Sequence, residues 1–99
     1  MGIVETRELR YFVTVAEELH FGRAAQRLGI AQPPLSRAIS QLERRLGVVL
    51  LQRTSRAVTL TEPGLVLLQE AKAALDAVQA AELRTRRAAQ TANGRARPG

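Results

Sequence analysis

The chain has 99 residues, which suits one small domain, with a formal net charge of +6 and 45% hydrophobic residues. It has no cysteine and one histidine, His20, which excludes disulfides, thiolate metal sites, cysteine nucleophiles and a histidine metal cluster, and no cofactor is called for. Aromatic residues make up 3%, which weakens any reading built on stacking single-stranded bases, and there is no membrane-length apolar run and no signal-peptide pattern, so a cytoplasmic protein without a membrane partner is expected.

Residues 6 to 19 read as an amphipathic helix with Thr6 as N-cap and Glu8 in the first turn. Leu9, Phe12, Val13, Ala16 and Leu19 recur at three- and four-residue steps and share one face. Residues 21 to 28 read as a second, short helix, with His20 near its N-cap and Gly29 stopping it. Its buried stripe is Ala24, Ala25 and Leu28, and the small alanines let two helices approach closely. Gly29-Ile30-Ala31 makes a tight turn. A third helix is expected from about Gln32 to Leu46, ended by Gly47. Pro33 and Pro34 suit its first turn, where the backbone N–H has no partner to lose. Leu35, Ile39, Leu42 and Leu46 form its buried stripe, while Gln32, Ser36, Arg37, Ser40 and Arg44 fall largely outside it.

Two short strands follow, Val48 to Gln52 and Ala57 to Leu60, joined by a polar tip of Arg53, Thr54, Ser55 and Arg56. Thr61 then caps a long helix with Pro63 in its first turn. From Glu62 to about Thr91 the only breaker is Gly64, and strong helix formers dominate. Thirty such residues span roughly 45 Å, longer than the rest of the domain is wide. Leu65, Leu68, Ala71, Leu75 and Val78 form a stripe suited to a helix–helix seam.

A helix, a short alanine-containing helix, a glycine turn and then a helix with a polar outer face make a helix-turn-helix pattern. Charge supports this reading: between Arg23 and Arg56 there are seven arginines and one acid, Glu43. Arginine usage is biased throughout, with one lysine against 14 arginines, but bias explains the choice of residue and not the clustering. Positive potential on a compact domain attracts nucleic acid. Gln32 offers a donor and an acceptor that can pair with adenine, and Arg37 suits a guanine edge or a phosphate. Ser36 suits close approach. The free N–H groups of the helix N-terminus favour phosphate. Arg53 and Arg56 bracket Thr54 and Ser55 on the wing, where both can face the DNA backbone or minor groove, or Arg53 can pin the wing through an internal carbonyl. The expected DNA-binding set is Arg23, Gln32, Pro33, Pro34, Ser36, Arg37, Ser40, Arg53, Thr54 and Arg56.

The segment from Phe21 to Ile39, with Ala31-Gln32-Pro33-Pro34-Leu35-Ser36-Arg37 at its centre, resembles the signature of LysR-type transcriptional regulators. Gln41-Leu42-Glu43-Arg44-Arg45-Leu46-Gly47, Arg53-Thr54-Ser55-Arg56 and Leu60-Thr61-Glu62-Pro63-Gly64 resemble it too, and the likeness covers about residues 6 to 90. Many members carry Ser at Ala31, Gln at Ala38, and Ser and Thr at His20 and Gly22, departures that bear on the bases recognised rather than on the fold. The resemblance implies a winged helix-turn-helix over residues 1–61, three helices plus a two-stranded wing. A linker and dimerisation helix follows over 62–91. A flexible basic linker over 92–99 is expected to lead toward an effector-binding domain of periplasmic-binding-protein type, which is not in this sequence.

It further implies bacterial transcription regulation through double-stranded DNA, with a small-molecule effector acting only through that other domain. The expected assembly is a homodimer through antiparallel linker helices, or a tetramer at full length, on an inverted-repeat operator. Three other classes fit less well. A purely structural coiled-coil cap does not need arginine at both ends of a hairpin tip. A basic amphipathic membrane binder needs large apolar residues opposite its charges, but the terminal helix is alanine-rich. An enzyme needs a nucleophile–base pair or metal set, and one histidine without cysteine supplies neither.

Overall fold

The computed structural model describes residues 4–96, with side chains described through Asn93. Its elements run α1 (Thr6–Glu18), α2 (Phe21–Leu28), α3 (Gln32–Leu46), β1 (Leu51–Arg53), β2 (Val58–Leu60) and α4 (Glu62–Ala96). The fold is mainly helical, with a two-stranded antiparallel wing between α3 and α4.

Thr6, expected as the N-cap of α1, is instead its first helical residue, and Glu5 takes the cap position in an extended conformation. The Glu8 carboxylate explains the shift. It accepts from the Glu5 backbone N–H at 3.1 Å, closing the first turn one residue earlier. Glu8 also pairs with Arg45, so this buried acid ties the start of α1 to the end of α3. At the far end of α1, Leu19 adopts a left-handed conformation with φ 50°. That turn swings Leu19 out of the apolar stripe to which the periodicity assigns it, and it is exposed.

His20 caps α2: its Nδ1 accepts from the Arg23 backbone N–H at 2.9 Å. Gly29 closes α2 with φ 69°, a conformation that side chains with a Cβ resist. α1, α2 and α3 enclose a core of Phe12, Val15, Ala16, Phe21, Ala24, Ala25, Leu35, Ile39 and Leu42, joined by Leu50 and Leu51 of the wing's base. Leu46, expected in the buried stripe of α3, lies at that helix's last residue and is exposed.

The first strand is shorter than expected. Val48 and Val49 stay outside the ladder, which pairs Leu51 with Leu60, Gln52 with Thr59 and Arg53 with Val58. Their neighbours' backbone is claimed elsewhere. The Glu43 carboxylate accepts from the N–H of Leu50 at 2.8 Å and of Leu51 at 3.3 Å, and the Thr61 hydroxyl donates to the Val49 carbonyl at 2.6 Å. Thr61 also caps α4 by accepting from Gly64 N–H at 3.0 Å. Gly64 is required by proximity: a Cβ there would lie 2.1 Å from the Leu50 carbonyl oxygen.

α4 is the long element, and the molecule extends 67 Å along its longest axis. Its first half belongs to the head. Ala71 is buried and Leu67 and Leu68 pack against the core. Ala71, which the spacing puts in a helix–helix seam, is already 1% exposed in the single chain, and α4 packs on α1. From residue 81 to 93 every residue is exposed. The helix also continues through Asn93 and Gly94 to Ala96, past the expected end near Thr91. Asn and Gly lower helix propensity without forbidding it, and the first proline beyond Thr91 is Pro98. The rest of the expected linker, 97–99, lies outside the described residues.

Candidate nucleic-acid interface

α3 presents two unlike faces. Leu35, Ile39 and Leu42 have no solvent exposure, while Gln32, Pro33, Pro34 and Arg37 are exposed and Ser36 and Ser40 half-buried. The start of α3 is poor in backbone donors. Its N-cap, Ala31, has no side-chain acceptor, and two of the first three helical residues are prolines. Pro33 and Pro34 lack N–H, so the amide site for phosphate expected at this terminus is largely stripped, and recognition there falls to side chains.

The start of α2 is the hub of the surface. A Cβ at Gly22 would lie 2.9 Å from His20 Cε1 and 3.8 Å from Gln32 Oε1, so the first exposed residue of α3 lies beside the first turn of α2. One residue earlier, the Phe21 ring carries the Arg53 guanidinium at 4.1 Å from its centroid. Arg53 is thus pinned internally, by an aromatic face rather than by a carbonyl. α2 therefore touches both the outer face of α3 and the wing. Sequence reasoning missed Phe21 as part of this surface, because its partner is 32 positions away and follows no periodicity.

At the wing tip Thr54 has a structural part that sequence reasoning did not assign to it. Its hydroxyl accepts from the N–H of Arg56 at 3.2 Å and of Ala57 at 3.1 Å, and its own N–H donates to the Ala57 carbonyl at 2.9 Å. Thr54 therefore shapes the turn, while its own side chain and those of Ser55 and Arg56 stay exposed.

The arginines divide by their partners. Arg23 lies 3.6 Å from the Glu18 carboxylate, Arg27 meets Glu17 at 2.7 Å and Glu18 at 3.3 Å, and Arg45 pairs with Glu8. Arg27 holds the Glu17 carboxyl below the ordinary carboxylate range, with burial opposing and Lys72 adding to the effect. Arg37 and Arg56 have no ion-pair partner among the described residues. Arg37 lies on α3 and Arg56 at the wing tip, and both side chains are exposed and open to an outside anion. Arg23 is exposed, and such an ion pair yields readily to a phosphate. On the other side of α3, a cleft of about 420 Å³ between α1 and α3 is lined by Arg7, Tyr11, Pro34, Arg37, Gln41 and Arg45, with Glu5 and Glu8. The i, i+4 spacing of Arg37 and Gln41 is the signal that places both on this wall.

This arrangement defines a winged helix-turn-helix protein. A family model described as "Bacterial regulatory helix-turn-helix protein, lysR family" matches residues 6–65, more than half of the chain, and the chain belongs to that family. Among curated relatives it is 51% identical over 96 residues to the uncharacterized HTH-type transcriptional regulator YnfL of Escherichia coli, covering 97% of this chain and 32% of that protein. It is 56% identical over 72 residues to the HTH-type transcriptional regulator AlsR of Bacillus subtilis, covering 73% and 24%. The chain thus spans a quarter to a third of these relatives. Among solved structures it is similar to the BenM DNA-binding domain in complex with catB site 1 DNA, with a TM-score of 0.84, 49% identity and coverage of 87% and 96%. The CbnR DNA-binding domain in complex with DNA gives a TM-score of 0.84, 42% identity and coverage of 87% and 99%. No helix among the described residues is long and apolar enough to cross a membrane.

Proposed function

We propose that this chain binds double-stranded DNA sequence-specifically and regulates bacterial transcription as a homodimer or higher oligomer. α3 enters the major groove, with Gln32 and Ser36 toward base edges and Arg37 toward a base or phosphate. Pro33, Pro34 and Ser40 line the approach, and Arg23, Arg53 and Arg56 hold the flanking backbone. The observation that carries this reading is the two-faced α3: three residues without exposure behind an outer face of glutamine, serine and unpaired arginine. The likeness to two domains solved with DNA supports it.

Two copies pair through α4, whose Leu65, Val66, Val78 and Leu83 are exposed in the single chain. Leu68 and Leu75 on the same helix are half-buried here. A two-fold dimer matches an inverted repeat with half-sites whole helical turns apart. In the full-length cytoplasmic protein, a small-molecule effector acts through a domain outside this sequence.

Selecting duplexes from a random pool and sequencing them tests the reading. An enriched inverted repeat is expected, and Gln32→Ala should relax base preference by roughly 1–3 kcal/mol per lost bidentate contact. A pool that stays random, or a variant with the parent's preference, would overturn it.

A further inference from the structure

Arg53 is the last paired residue of β1 before the wing tip, opposite Val58. A strand side chain this close to a hairpin end ordinarily samples many rotamers. Here the guanidinium lies over the ring of Phe21 at 4.1 Å from its centroid. Phe21 is itself buried in the head, so the ring is a fixed platform and not a second flexible partner. Phe21 opens α2, the element that also meets Gln32 of α3.

We propose that Phe21 is a positioning residue for DNA binding: its ring latches Arg53, and through Arg53 the wing, in a fixed register against the recognition helix. This rests on the reading that the wing grips DNA. Stacking occupies only the faces of the planar guanidinium. Its five N–H donors lie around the edge and stay available to phosphate oxygens. The latch therefore orders the arginine without consuming its donors, and the entropy of ordering a long side chain is largely met before DNA arrives. Arg56, beyond the latch, has no ion-pair partner among the described residues and gains no such ordering. Electrostatics favours the arrangement, since a cation is attracted to the face of an aromatic ring.

The test uses the whole chain and a duplex that the parent enriches from a random pool. Phe21→Leu keeps an apolar side chain of similar bulk and removes the π face. Phe21→Tyr restores the face, and Arg53→Ala removes the cation. Affinity, its salt dependence and phosphate-ethylation interference at the wing are measured for each single and double variant, with thermal unfolding to confirm folding. Phe21→Leu is expected to weaken binding about three- to tenfold, the range of a modest cation–π contact. It should lose interference selectively at the wing's phosphates. Phe21→Tyr should bind like the parent. In the Arg53→Ala background Phe21→Leu should cost nothing further, as for two residues acting through one contact.

Parent-like affinity and footprint for Phe21→Leu, an unchanged penalty without Arg53, or no recovery in Phe21→Tyr would each overturn the latch. Failure of the underlying reading looks different: Arg53→Ala itself would then leave affinity, salt slope and footprint unchanged. If Phe21→Leu does not fold, Arg53→Lys decides the matter in the native background. Lysine keeps the charge but not the planar stack, so it should bind several-fold more weakly than the parent, and parity with the parent would overturn the latch.

Discussion

Ala71 and Leu83 lie on the same helix, about three turns apart at 3.6 residues per turn, yet Ala71 is 1% exposed and Leu83 45% exposed. The first half of α4 is part of a packed head, held by Leu67, Leu68 and Ala71 against the core and by Lys72 at 3.4 Å from Glu17. Beyond residue 80 the side chains described are exposed, and their bonds among the described residues are within the helix: an Arg86–Glu82 pair at 3.5 Å, and hydroxyls of Thr85 and Thr91 that return to the preceding turn. One helix therefore has two sources of stability. Tertiary burial fixes the near half, whereas helix propensity and any second subunit must fix the far half.

The sharpest way to break this contrast is through α4's own glycines. In an ordinary helix Gly→Ala gains roughly 1 kcal/mol. At Gly64 the sign should reverse, because the new Cβ would lie 2.1 Å from the Leu50 carbonyl, which is backbone and cannot swing aside. Gly64→Ala is expected to cost about 3 kcal/mol or more by forcing the start of α4 off the wing's base. Gly94→Ala, at the far end of the same helix, should leave thermal unfolding unchanged or raise helicity slightly. Denaturant melts of the two variants check this, and equal effects would mean that α4 does not dock as described.

The next effect is at Glu43, the one acid in the arginine-rich middle of the chain. Its carboxylate accepts from two backbone N–H groups, at Leu50 and Leu51. Glu43→Ala strands both donors and should cost roughly 1–3 kcal/mol of head stability. Glu43→Gln keeps an acceptor oxygen and should recover most of it. Equal losses in both variants would show that charge, not hydrogen bonding, is what Glu43 supplies.

These two positions mark where the sequence stops being legible. Local rules place α2 and α3, because Gly29 and Gly47 end them and the Leu35, Ile39 and Leu42 spacing identifies the buried face. The same spacing identifies Gln32, Ser36 and Arg37 as the outer face. Contacts between distant elements leave no such mark. Glu43 reaches Leu50, Arg53 reaches Phe21 and Gly64 meets Leu50, and none of these follows a helix or strand period. Thr54 shows a subtler limit: its hydroxyl closes its own turn, a part that no spacing announces, while the side chain stays exposed. In α4 the apolar spacing is real, but spacing cannot say which surface covers it. Ala71 went to the chain's own core, while Val78 and Leu83 did not.

That division picks the residue with which to probe the far half. Leu68 is a poor choice, since an aspartate there would also damage the head. Leu83→Asp changes an exposed position and should alter head stability by no more than about 0.5 kcal/mol. If α4 pairs with its copy, sedimentation should show dimer shifting to monomer. Affinity for a two-half-site duplex should fall at least about tenfold, equivalent to roughly 1.4 kcal/mol, with single half-site affinity unchanged. A variant that stays dimeric would place the seam elsewhere.

The smallest expected effect lies at the boundary between the halves, where acid should loosen α4 from the head. Glu17 accepts from Arg27 at 2.7 Å and faces Lys72 of α4 at 3.4 Å. The Arg27 bond is the main reason its carboxyl titrates below the ordinary value near 4.5, with Lys72 adding to it against a burial penalty. A carboxyl whose folded pKa is depressed stabilises the fold above its unfolded pKa, and that stability is lost as pH falls through the folded one. Unfolding temperature should therefore drop below about pH 4.5, and Glu17→Gln should remove part of the drop. All three side chains are partly exposed and the attraction is screened, so the effect should be small and shrink further in 1 M salt, where the Debye length is about 3 Å. Glu82→Gln in the far half breaks an ion pair too, but that pair lies within α4 and its loss should leave the acid profile of unfolding as it was. If Glu82→Gln flattened that profile as much as Glu17→Gln, the seam at Glu17 would have no special part in docking α4. If Glu17→Gln flattened it alone, Lys72 and Arg27 would be shown to hold the near half of the helix to the head from opposite sides of one carboxylate.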